Sequence, residues 1–208
     1  EEQDQRRDNL RNALAANTVI SGGKSRLIVN ESKEDDQGFV YINEYIGNRI
    51  KEHQVEGVRF LWNQIVVEPS TRQGCLLAHT MGLGKTMQTI TFLVAVAEAA
   101  CSKDPSVRNQ VPEDLRECRT LILCPAGLVQ NWVDELLIWA PQGIFRNIYK
   151  VEAAQRQGQR LSTIEDWGKN GGILVMGYTM FKTNFKSSKV QQNDAAMDTI
   201  LTDRANIV

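Results

Sequence analysis

The chain has 208 residues, 42% of them hydrophobic and 24% charged, with 15 Gly and 5 Pro, a composition that buries one sizeable core and excludes disordered or collagen-like polymers. Its longest apolar run, residues 92–97, falls far short of the roughly 18–20 residues that span a bilayer, so no membrane helix is expected. A net charge of -1 offers no bulk attraction to a polyanion, and any nucleic-acid contact has to rest on a local site.

The chain opens on Glu1 with neither Met nor a basic-then-apolar leader, as expected of a piece of a longer protein. Residues 1–17 mix both charges with amides, and Leu10 and Leu14 give only a thin apolar stripe, the pattern of a peripheral helix or a disordered lead. Two short apolar runs, 27–29 and 39–42, read as edge strands joined by a solvated loop whose Glu31, Glu34, Asp35 and Asp36 form a wet surface. Residues 1–46 are thus an N-terminal extension, with a helix and a hairpin, ahead of a domain at 47–208.

From Ile50 onward Val55, Val58, Leu61, Trp62 and Ile65 recur at spacings of three and four, one face of an amphipathic helix running to about Val67. Residues 74–78 follow as a short buried-strand pattern, then a glycine turn, then a helix over about 85–100 so apolar that it is expected to be buried. Residues 101–118, with Pro105, Asn109 and Pro112, read as a long surface connection, and 120–124 as a strand closed by Pro125. Leu128, Val129, Trp132, Leu136 and Trp139 return to helical spacing. A strand at 148–151, a polar helix at 153–169, a strand at 173–176 led in by Gly171-Gly172 and a short helix from about Thr179 complete the chain. This alternation predicts an α/β fold with a mainly parallel sheet.

Cys75, Cys101, Cys118 and Cys124 include no CxxC pair, and His53 and His79 stand far apart, so a zinc site is not expected. Cys75 and Cys124 lie in apolar runs and read as small buried hydrophobes, reduced rather than bridged.

The chemistry sits in His79-Thr80-Met81-Gly82-Leu83-Gly84-Lys85-Thr86, placed between the strand pattern at 74–78 and the apolar helix, the setting a phosphate-binding loop requires. Several backbone N–H groups must converge on a phosphate. Gly82 and Gly84 allow the chain to curl, and the helix start adds its positive dipole end. Lys85 is then the residue for the β and γ phosphates, and the Thr86 hydroxyl the ligand for Mg²⁺. The first glycine of the general G-x-x-x-x-G-K-S/T pattern is replaced by His79. A dinucleotide fingerprint needs a third glycine where Met87 stands, and the guanine-specifying Asn-Lys-x-Asp is absent from these residues, which favours adenine over guanine as the base. Gln54, ahead of the loop, carries a donor and an acceptor that match adenine's N6 and N7 edge.

Taken in order, these pieces resemble the SWI/SNF-type ATPases, the DNA translocases of helicase superfamily 2. The glutamine motif corresponds to residues 50–62, motif I to 76–86, motif Ia to Leu121-Ile122-Leu123-Cys124-Pro125-Ala126-Gly127-Leu128-Val129-Gln130-Asn131-Trp132, and the block called Ib to Ile173-Leu174-Val175-Met176-Gly177-Tyr178-Thr179-Met180-Phe181. Most members carry Asp-Glu where His79-Thr80 stand. His79, Gly177-Tyr178 and the hairpin-like lead are more similar to the branch containing the alpha-thalassaemia X-linked and androgen-receptor-interacting remodellers.

The resemblance implies the first of two RecA-like lobes that clamp ATP and Mg²⁺ and move along duplex DNA or nucleosomes in the nucleus. It implies nucleotide binding by Gln54, Met81, Gly82, Leu83, Gly84, Lys85, Thr86 and Met87, with Lys85 and Thr86 also catalytic and Thr86 the metal ligand. DNA contacts are implied at Gly127, Gln130, Asn131, Tyr178 and Thr179, while Trp132 and Leu136 suit a core better. The family's Asp-Glu box follows a strand resembling Asn206-Ile207-Val208, so 47–208 reads as a lobe cut before that box, inactive without it and without the second lobe. A P-loop NTPase or kinase with no DNA role and a non-catalytic pseudo-ATPase interaction module are the alternatives.

Overall fold

Spacings of three and four become helix where predicted. The computed structural model of the chain describes residues 26–67, 74–187, 205 and 207, with 183–187 as backbone alone, and the expected lead at 1–17 lies outside these. They form two compact units, divided after Pro112.

In the first unit, α1 is the single turn Glu44–Gly47 and α2 spans Glu52–Trp62, continued by a π-helical turn at Asn63–Val67. Gln54 accepts a hydrogen bond from the Lys51 N–H (2.9 Å), one half of a capping box at the start of α2. Val55, Val58, Leu61 and Trp62 are buried on the predicted face of α2, and the helix packs along α3, Lys85–Ala100. Ten residues of α3 are buried, including Ile90 and the run Phe92 to Val96, so this helix is covered on more than one face as its composition demands. A short α4, Pro105–Arg108, interrupts the connection that follows, started by Asp104, whose carboxylate accepts from the Ser106 N–H (2.9 Å).

The runs 27–29 and 39–42 meet antiparallel, but only through a bridge at Ile28 and Tyr41, with Val29 donating to the Val40 carbonyl and Ile42 to that of Leu27 (both 2.8 Å). The ladder stops there because a side chain takes the next place: Asn30 Oδ1 accepts from the Val40 N–H (2.8 Å) while its amide nitrogen donates to the Gly38 carbonyl (2.9 Å) and to Gln110 (2.7 Å). Glu31 is not part of a wet surface. It is buried and ion-paired with Arg59, whose Nε also donates to the Ile28 carbonyl (2.9 Å), which fastens this segment to α2.

The strand expected at 74–78 is not formed among the described residues: these residues take no regular secondary structure, pair in no ladder, and leave Leu76 80% exposed. An apolar pattern supplies a strand's faces, whereas hydrogen-bonding neighbours must come from elsewhere in the chain. Cys75 is accordingly exposed rather than buried. Cys124 does behave as a small hydrophobe, and its burial pushes the thiol pKa up, favouring the neutral form.

The second unit is an α/β layer. Strand β1 (Arg119–Cys124) leads to α5 (Val129–Trp139), β2 (Ile148–Val151) to α6 (Gln157–Asn170), and β3 (Gly172–Gly177) to α7 (Tyr178–Ser187). The sheet order is β1-β3-β2 and both pairings are parallel, with Cys124 opposite Gly177 and Val151 opposite Met176. Ile207 forms a further parallel bridge with Thr120, on the strand that the sequence placed at 206–208. Every residue of the central β3 is buried. Alternation sends Leu174 and Met176 to one face, where they meet Ile164 and Trp167 of α6 with Leu121 and Val151, a cluster closed by partly buried Leu123, Tyr149 and Leu161. This is the predicted fold class, a parallel sheet flanked by helices. No helix among the described residues is long and apolar enough to cross a membrane.

Candidate functional site

The predicted phosphate loop lies wholly in the first unit. Gly82 (φ 85°) and Gly84 (φ 74°) take left-handed conformations that L side chains rarely adopt, and α3 begins at the next residue, Lys85. Gly84 also has a second constraint, because a Cβ there would run into the amide of Gln54. Having no side chain, Gly84 caps nothing, so no capping oxygen from it occupies the first-turn amides of a 16-residue helix. Those amides and the positive end of the helix dipole make the kind of place where anions bind.

Lys85 folds back over the loop, its ammonium donating to the carbonyls of His79 (2.8 Å) and Thr80 (3.1 Å). Met81 is 93% exposed at the tip, and Leu83 is exposed beside it. Thr86, half-buried in the first turn, offers its hydroxyl. Met87 differs, since its side chain is buried in the core, and only its backbone N–H is suited to a ligand. Among the described residues no three His, Cys, Asp or Glu cluster around a metal position, and Thr86 is the loop's candidate ligand for Mg²⁺.

Gln54 is buried in the first turn of α2 and is partly committed. Its Oε1 accepts from Lys51 and its Nε2 donates to the Leu83 carbonyl (3.3 Å). One lone pair and one hydrogen of the amide remain for a base edge. A cleft of about 400 Å³ is lined by His53, Glu56, Gly57 and Phe60 of α2 and by residues 76–79. Gln88, which sequence reasoning passed over, donates to the same Leu83 carbonyl (3.0 Å) from the first turns of α3. The signal for it was a lone amide inside an otherwise apolar stretch.

In the second unit, the residues expected at DNA gather at the C-terminal ends of the parallel strands β1 and β3, where open α/β sheets present their ligand sites. After Cys124 the chain makes a 3₁₀ turn, Ala126–Leu128, that carries exposed Gly127 into α5. Gln130 and Asn131 are exposed on the first turn of α5, and Tyr178 (56% exposed) and Thr179 open α7 directly after β3. Gln130 is oriented on both sides, donating to Asp134 (2.7 Å) and accepting from Lys150 of β2 (2.8 Å). Leu136 is fully buried, as a core role requires, whereas Trp132 is only half-buried.

The family model described as the SNF2-related domain matches residues 53–207, a span that contains every one of these residues. The chain belongs to the SNF2-related domain family. This SNF2-related domain is 30% identical over 207 residues to Protein CHROMATIN REMODELING 20 of Arabidopsis thaliana, covering 91% of the chain and 13% of that protein. It is 29% identical over 191 residues to the human transcriptional regulator ATRX (84% of the chain, 7% of the relative) and 27% identical over 177 residues to human Helicase ARIP4 (76% and 11%). These relatives agree with the branch that the motifs resemble. The SNF2-related domain here spans only a small part of the length of each.

Proposed function

We propose that the chain is the ATP-gripping first lobe, residues 47–208 with an extension at 1–46, of an ATP-dependent translocase on duplex DNA that remodels chromatin in the nucleus. The observation that carries this reading is the loop itself: two left-handed glycines open a buried helix, and a lysine lies across the loop, inside a segment that belongs to the SNF2-related family. ATP is held by the loop amides, Lys85 and Thr86, with Mg²⁺ on the Thr86 hydroxyl and the adenine edge on Gln54. When bound, Mg²⁺ neutralises the phosphate charge that develops during γ-phosphoryl transfer. Duplex DNA or a nucleosome lies against Gly127, Gln130, Asn131, Tyr178 and Thr179, and a second RecA-like lobe completes the motor.

Titration calorimetry with ATP and GTP tests the base assignment. Gln54→Ala is expected to weaken both nucleotides, since it also releases Leu83, but to weaken ATP more and so narrow the preference. Equal losses would make Gln54 a purely structural tether.

DNA binding by the intact protein is expected to be indifferent to sequence and to weaken steeply with salt, with a log-log slope of about -0.9 per neutralised phosphate. Tyr178→Ala should reduce affinity evenly across duplexes. Sequence-selective binding, or an ATPase that duplex DNA does not stimulate, would favour a P-loop enzyme without a DNA role.

A further inference from the structure

We propose that Gln88 is a positioning residue that, together with Gln54, sets the peptide plane between Leu83 and Gly84 so that the Gly84 N–H faces the ligand side of the loop; the proposal rests on the nucleotide reading above. Gln88 is fully buried in an apolar helix, where an amide is costly unless it is bonded. Its nitrogen donates to the Leu83 carbonyl (3.0 Å), and Gln54 donates to the same oxygen from α2 (3.3 Å). Two amides on two helices thus converge on one carbonyl of the loop, between its two left-handed glycines.

The other end of the Gln88 amide fixes its orientation. Oε1 is buried without a hydrogen-bond partner and abuts Gly57 of α2, where a Cβ would collide with it. Turning the amide over would set this oxygen against the Leu83 carbonyl, acceptor against acceptor, so the unsatisfied orientation is the favoured one. A glycine inside a helix lowers its propensity, and at Gly57 that cost makes room for the Gln88 amide. A methionine of the same length would pack here with no orphan acceptor; what the amide adds is its bond to the loop.

That bond acts at a distance of one peptide. A trans peptide is planar, with its C=O and N–H antiparallel, so holding the Leu83 oxygen toward α2 and α3 turns the Gly84 N–H the opposite way. The donor is then oriented before a phosphate arrives, and no free energy is spent ordering it on binding.

The test measures ATP affinity and thermal stability of the chain with Lys85→Ala, Gln88→Met and Gly57→Ala. Gln88→Met is expected to weaken ATP about tenfold while the melting temperature stays level or rises, because the orphan acceptor is gone. Gly57→Ala should produce a similar loss by pushing the amide off Leu83, and the double variant should lose little more than either single one. Wild-type affinity in Gln88→Met, or a parallel fall in affinity and melting temperature, overturns the positioning role. If Gly57→Ala fails to fold, the Gln88→Met result decides alone. If Lys85→Ala also binds ATP like the wild type, it is the nucleotide reading that fails; if Lys85→Ala loses affinity and Gln88→Met does not, only the role of Gln88 falls.

Discussion

Lys85→Ala is expected to weaken ATP binding by roughly tenfold to a hundredfold, the equivalent of the 1.5–3 kcal/mol that a charge-assisted hydrogen bond contributes. The ammonium lies over the loop, on the carbonyls of His79 and Thr80, and under the proposed function would reach phosphate oxygens by exchanging those two bonds. Because Lys85 is not part of the buried core, its loss should scarcely move the melting temperature, so affinity and stability separate cleanly. Lys85→Arg should not restore full binding, since a planar fork replaces a compact point charge. Calorimetry on the purified chain checks all three statements, and an unchanged affinity in Lys85→Ala would falsify the phosphate-loop assignment.

Trp167→Ala is expected to destabilise the second unit by about 3–5 kcal/mol, the usual cost of removing a large aromatic from a core. The indole is fully buried among Leu121, Ile164, Leu174 and Met176, and its Nε1 donates to the Gly172 carbonyl (3.0 Å) at the entrance to the central strand. Truncation therefore leaves a cavity under the sheet and an acceptor without its donor. Trp167→Phe keeps most of the packing and forfeits the hydrogen bond, so a loss near 1 kcal/mol is expected there. Denaturant unfolding followed by circular dichroism distinguishes the two, and a loss below about 1 kcal/mol for Trp167→Ala would mean that the sheet is held together elsewhere.

Much of the fold was legible because its signals are local. The apolar stretch of α3, the three- and four-residue spacings of α2 and α5, and the short runs of β1, β2 and β3 each carry their own periodicity, and the structure follows them to within a few residues. What was not legible depends on partners distant in sequence. Residues 74–78 have a strand's composition, yet pairing is a property of neighbours. Nothing near Asn30 announces that its amide will stand in for a ladder, nor anything near Glu31 that Arg59 will bury it. The single-turn helices were missed through weight rather than absence of signal, since Asn43 and the Asp104-Pro105 pair are ordinary helix starts. At the candidate site, the backbone requirement at Gly82 and Gly84 could be read from the letters, and both have the left-handed conformation. The convergence of Gln54 and Gln88 on Leu83 could not, because it joins two helices across more than 20 residues of chain, and polar atoms meet there only after both helices have packed.

The burial of α3 has a mechanical consequence. A helix with one wetted face can roll about its axis by repacking a single contact, but one sheathed along Ile90 and Phe92 to Val96 is keyed like a shaft in its housing. Lys85 and Thr86 ride on the end of that shaft, so their azimuth is inherited from the packing ten residues away rather than chosen by what they touch. Compliance is left to the short arc from His79 to Gly82, whose exposed tip lies ahead of the Leu83 carbonyl that Gln54 and Gln88 hold. A guest of the wrong length therefore meets a fixed wall on one side and a yielding one on the other, and any discrimination between longer and shorter guests resides in how far that arc can be drawn in.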